Sequence, residues 1–80
     1  MKLDKVSAYV WRRAVAQIRA YGLARPKLGW KGGNRHESWV RGGVTLAYRI
    51  DTPGYPRCFV DREAVEKLVA KYFARNALTV

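Results

Sequence analysis

Ser38-Trp39-Val40-Arg41-Gly42-Gly43-Val44-Thr45-Leu46-Ala47-Tyr48-Arg49-Ile50 is the stretch whose reading decides the fold class. Two runs rich in β-branched and aromatic residues flank a Gly-Gly pair, which accepts the positive φ angles of a two-residue hairpin turn. Uninterrupted pairing across that turn sets Arg41 opposite Val44, Trp39 opposite Leu46 and Glu37 opposite Tyr48. Period-two alternation then assigns Trp39, Val44, Leu46, Tyr48 and Ile50 to the buried side. His36, Ser38, Val40, Thr45, Ala47 and Arg49 fall on the outer side.

Downstream, Asp51-Thr52-Pro53-Gly54-Tyr55-Pro56 is a turn cluster and Arg57-Cys58-Phe59-Val60 a short third strand. Asp61 caps a helix expected over 62–77, whose Val65, Leu68, Val69, Tyr72 and Phe73 fall at i, i+3, i+4, i+7 and i+8. Upstream, a helix is expected over 4–21, with Asp4 as N-cap and Gly22 just past its end. Its apolar stripe gathers Leu3, Val6, Val10, Trp11, Ala14, Ile18 and Tyr21, while Lys5, Tyr9, Arg12, Ala16 and Arg19 occupy the other side. Residues 22–36 read as a long Gly-, Arg- and Trp-bearing connection. The expected fold is α+β: a two-layer α-β-β-β-α domain spanning residues 1–80, with a three-stranded antiparallel sheet packed against two helices.

Charge gives the functional direction. Sixteen Lys and Arg against six Asp and Glu make the 80-residue chain +10, with 49% of residues hydrophobic. That apolar content separates it from a disordered polycation. Residues 1–60 carry twelve basic side chains and three acids, whereas residues 61–80 carry four and three. An anion-binding surface is therefore expected from the first helix, the connection and the hairpin. Arginine outnumbers lysine ten to six, and its planar fork suits phosphate and base edges.

Other classes fall away. One cysteine, Cys58, makes no internal disulfide, and with the single histidine, His36, it cannot complete a structural zinc site. Cys58 reads as a small buried apolar residue. No apolar signal core precedes Arg12 and Arg13, and no run reaches the ~20 apolar residues of a bilayer span. The expectation is a cytoplasmic protein with no cofactor, no metal and no membrane partner.

The resulting candidate site comprises Arg12, Arg13, Arg19, Arg25, Lys27, Trp30, Lys31, Arg35, Arg41 and Arg49. An exposed Trp30 among basic residues suits base stacking or a protein interface; a buried one would strap the loop to the sheet. The expected function is a small non-enzymatic nucleic-acid-binding module, of phage or mobile-element regulator type. DNA is set ahead of RNA because small basic DNA-binding regulators are numerous. An alternative is a protein-interaction module or phage-type inhibitor that docks its basic face on an acidic or nucleic-acid-binding partner. A second alternative, a metal-independent ribonuclease, would use His36 as general base with arginines stabilising the transition state.

Two resemblances accompany this reading. The element order α-β-β-β-α is similar to that of double-stranded-RNA-binding domains. Where that family sets its phosphate-gripping lysines, this chain reads Asp61-Arg62-Glu63-Ala64, so those residues do not carry over. Pro56 to Glu66 resembles the wing and following helix of winged-helix excisionases, which implies a regulator of mobile elements.

Overall fold

The first helix starts at Ser7, not at Asp4. In the computed structural model, which describes residues 3–78 and their side chains as far as Phe73, the Ser7 hydroxyl accepts from the Val10 N–H at 3.2 Å. Helix α1 spans Ala8–Ala20, and the residues ahead of it, Asp4–Val6, form strand β1. The end of α1 matches expectation. Gly22 has φ +61°, its N–H donates to the Arg19 carbonyl, and the Leu23 N–H reaches back to Ile18 at 2.9 Å. These are the paired bonds of a Schellman cap, and its apolar seal is Leu23, only 2% exposed.

The expected long connection is a second hairpin. Strand β2, Pro26–Lys31, turns through Gly32-Gly33 into β3, Asn34–Arg41. Both glycines have positive φ, as do Gly42 and Gly43 between β3 and β4, Val44–Thr52. The two Gly-Gly turns therefore use the same backbone device, of which only the second stands between obvious strands. Strand β5, Tyr55–Val60, leads into α2, Arg62–Leu78. As expected, Asp61 caps α2, its Oδ1 accepting from the Ala64 N–H at 3.1 Å.

The α+β class stands; the three-stranded sheet does not. Five antiparallel strands run in the order β1-β5-β4-β3-β2. β1 pairs with β5, Val6 opposite Cys58, and β2 with β3, Leu28 opposite Glu37. These two outer strands cover the edges that the central three would leave open. They also set the chain apart from the bare α-β-β-β-α order of the RNA-binding domains it resembles.

Both helices lie on one side of the sheet. Trp11, Ala14, Val15 and Ile18 of α1 and Val65 of α2 meet Trp39, Leu46, Ala47, Cys58 and Val60 from the strands. Val15 joins this core although the expected stripe passed beside it, and Phe73, expected inside, is 64% exposed. Cys58 is buried as expected, and burial pushes its thiol pKa up, which keeps it protonated and unreactive.

One irregularity reverses half of the expected sheet. Trp39 pairs with Ala47 but Val40 pairs with Thr45, so Leu46 bulges from the ladder without a partner. Leu46 and the adjacent Ala47 are then both fully buried on the helix side. The Leu46 carbonyl accepts from the Asp61 N–H at 2.9 Å, which ties the bulge to the start of α2. Beyond the bulge every assignment on β4 flips, while those on β3 hold: Ala47 and Arg49 face the helices, and Tyr48 and Ile50 face outward.

Candidate nucleic-acid interface

The flip creates an open sheet face. Register pairing sets Lys5, Phe59, Tyr48, Ser38 and Lys27 in one row across all five strands. Beside it runs a second row, Arg57, Ile50, His36 and Gly29. None of Tyr48, Ile50 or Phe59 packs against the helix-side core. The His36 and Tyr48 ring centroids lie 5.8 Å apart, and those of Tyr48 and Phe59 6.2 Å apart. Tyr55, 58% exposed, extends the aromatic surface with the Lys5 ammonium 6.0 Å from its ring centre. A Cβ at Gly29 would meet His36 Nε2 at 2.8 Å, so any larger residue there would push the imidazole aside. A bare backbone at this position lets the imidazole lie against β2.

Four cations belong to this face: Lys5, Lys27, Lys31 and Arg57. No carboxylate does. Asp4, Glu37 and Asp51 point to the helix side, Asp61 caps α2, and Glu63 and Glu66 sit on α2. The separation is a consequence of strand parity: Glu37 is opposite Arg49, and Asp51 lies two residues beyond Arg49 on the same side.

The helix side carries the other positive surface. Trp11, Arg12, Val15, Arg19, Glu37 and Arg49 border an open groove between α1 and the sheet. Next to it, Arg35, His36, Glu37, Arg49 and Asp51 surround a smaller depression. Two of these four arginines, Arg49 and Arg19, already have partners. Arg49 Nε donates to Asp51 Oδ1 at 2.9 Å, and its guanidinium lies 5.6 Å from the Trp11 ring. Arg19 lies 5.2 Å above Trp39, whose Nε1 donates to Glu37 Oε2 at 2.8 Å.

The ten expected site residues thus divide. Lys27 and Lys31 belong to the open face; Arg12, Arg19, Arg35, Arg49 and Trp30 lie on the helix side. Arg49, expected outside beside His36, is turned inward by the bulge. Arg13 donates to the Tyr9 hydroxyl at 3.0 Å on an exposed flank of α1, a bond that raises its guanidinium pKa further. Arg25 stands exposed ahead of β2. Trp30, 74% exposed, is not a strap over the core.

Arg41 is drawn into the structure. Its guanidinium donates to the Leu23 carbonyl at 2.8 Å and to the Tyr72 hydroxyl at 2.6 Å, linking the hairpin to both helices. Arg41→Ala is expected to lower stability by about 1–3 kcal/mol, because a part-buried carbonyl and hydroxyl lose their donor. A urea melt reads that loss, and the salt dependence of any binding by the folded variant should stay unchanged.

Lys5, Arg57, Tyr48, Phe59 and Tyr55 escaped the sequence-based list. Arg57 and Phe59 alternate visibly with buried Cys58 and Val60, so the third strand held a usable signal. Tyr48 was masked by the bulge and Lys5 by the mistaken helix.

His36 and Glu37 leave β3 toward opposite faces, as neighbours on a strand must; both border the depression with Arg35 and Arg49, and no hydrogen bond joins them. Among the described residues no group of three His, Cys, Asp or Glu could hold a metal ion, and no helix is long and apolar enough to cross a membrane. No protein-family model, curated protein or solved structure matches this chain.

Proposed function

We propose that this chain is a small nucleic-acid-binding module without catalytic activity, and that its contact surface is the open face of the sheet. The observation that carries the reading is the complete segregation of charge there: four cations around an aromatic centre, with all six acids elsewhere. A surface of that kind attracts a polyanion and releases its counterions on contact. DNA-binding regulators remain the leading class.

Fluorescence polarisation against labelled oligonucleotides at rising salt tests the proposal. With four phosphate contacts, log affinity should fall linearly with log salt at a slope of about −3. Absence of binding in dilute buffer, or binding indifferent to salt, removes it.

A second reading is favoured by a separate observation. Leu28 and Trp30 are 55% and 74% exposed on the helix side of edge strand β2, across from Glu37 and Arg35. An aromatic anchor opposite Arg35, on the side of the sheet that also carries Arg12 and Arg19, suits an acidic protein surface. Pull-down with and without nuclease distinguishes the two, since a partner bridged by nucleic acid disappears on nuclease treatment. The ribonuclease alternative keeps only His36, and cleavage unchanged by His36→Ala removes it.

A further inference from the structure

We propose that the nucleic acid held by the open sheet face is single-stranded, its bases unstacked onto Tyr48, Phe59 and Tyr55 and its phosphates held by Lys5, Lys27 and Arg57. This inference rests on the nucleic-acid reading above and narrows its ligand.

Width is the first argument. The row from Lys5 to Lys27 crosses five strands, and at about 4.8 Å per strand it spans about 19 Å. The major groove of B-DNA is about 12 Å wide and takes a helix or a two-stranded ribbon. A five-stranded face meets a duplex only at its phosphate ridges, which leaves the aromatic centre without a partner.

Ring spacing is the second. Stacked bases in a duplex repeat every ~3.4 Å along a strand. On this face the Tyr48 and Phe59 ring centres lie 6.2 Å apart with planes tilted by 39°, and the His36 ring continues the series 5.8 Å beyond Tyr48 at a tilt of 33°. Successive rings match bases that have been separated from one another, a geometry open to a single strand and closed to a duplex.

Placement of charge is the third. The cations border the aromatic centre: Lys5 and Lys27 end its main row, and Arg57 stands beside Ile50 next to it. Phosphates of a strand crossing the rings would pass these ends.

The test compares a fluorescein-labelled 15-nucleotide single strand, as DNA and as RNA, with the duplex of the same sequence at 50 mM salt. Single-strand binding at least tenfold tighter is expected. Tyr48→Leu and Phe59→Leu should each weaken it by about 5- to 150-fold, the range for loss of one stacked base. Tyr55→Ala, at a position 58% exposed, gives the same test with little bearing on folding, and it should weaken single-strand binding at least fivefold. Because Trp11, Trp30 and Trp39 all lie on the helix side, tryptophan emission should not change on binding. Equal or tighter duplex binding, unchanged affinity in Tyr55→Ala, or tryptophan quenching in step with binding overturns the single-strand assignment while nucleic-acid binding stands. Failure of both oligonucleotide forms to bind removes the two proposals together.

Discussion

Replacing Lys5, Lys27, Lys31 and Arg57 together by Gln is expected to cut nucleic-acid affinity on the order of a hundredfold or more at 0.15 M salt. Each phosphate contact contributes about 0.7–0.9 to the salt slope, so four lost contacts bring a slope of about −3 close to zero. All four side chains are exposed, and none takes part in a side-chain hydrogen bond or ion pair among the described residues. Their removal should therefore leave the thermal midpoint nearly unchanged, since exposed substitutions of this kind stay within about 0.5 kcal/mol. The matched control is Arg12, Arg19 and Arg35 to Gln on the helix side. If that control loses binding and the open-face variant keeps it, the interface is the groove along α1 and the proposed surface is wrong.

Trp39→Ala is expected to destabilise the domain by about 3–5 kcal/mol at 25 °C. The side chain is 1% exposed and sits where β3 meets the bulge, beneath Arg19 and bonded to Glu37. Truncating a buried tryptophan costs about 3–5 kcal/mol through lost transfer energy and the cavity left behind. A chain of 80 residues has a total stability of about 4–12 kcal/mol, so the loss removes a large share of it. Glu37 would also lose its donor at the base of the groove. Urea unfolding followed by far-UV circular dichroism reads the effect, and a loss below about 1 kcal/mol would refute this account of the core.

Local chemistry made much of the fold legible. The Gly42-Gly43 turn, the Gly22 cap, the Asp61 cap and the apolar repeat of α2 as far as Tyr72 each depend on residues within one or two turns of chain, and these stand in the structure, whereas Phe73 does not join the core. The candidate site was legible in charge and not in geometry. Lys27 and Lys31 were chosen as basic loop residues, yet they belong to a strand that alternates them with Leu28 and Trp30. Arg41 and Arg49 carry the same charge as the others, but neighbours distant in sequence, Leu23, Tyr72 and Trp11, absorb them.

What the chain's own order of residues determined is its class: two helices, one glycine hairpin, an antiparallel sheet and a basic first three-quarters. What only the assembled molecule decided is which side of the sheet each of those residues serves. Three residues at Asp4–Val6 are too few to signal a strand until β5 offers them an edge. Leu46 leaves the ladder because its side chain fills the space under the helices, a gain no local pattern records. Since parity along a strand is two, that one extra residue sends Tyr48 outward and Arg49 inward, and with them the whole division between an acid-free face and a core.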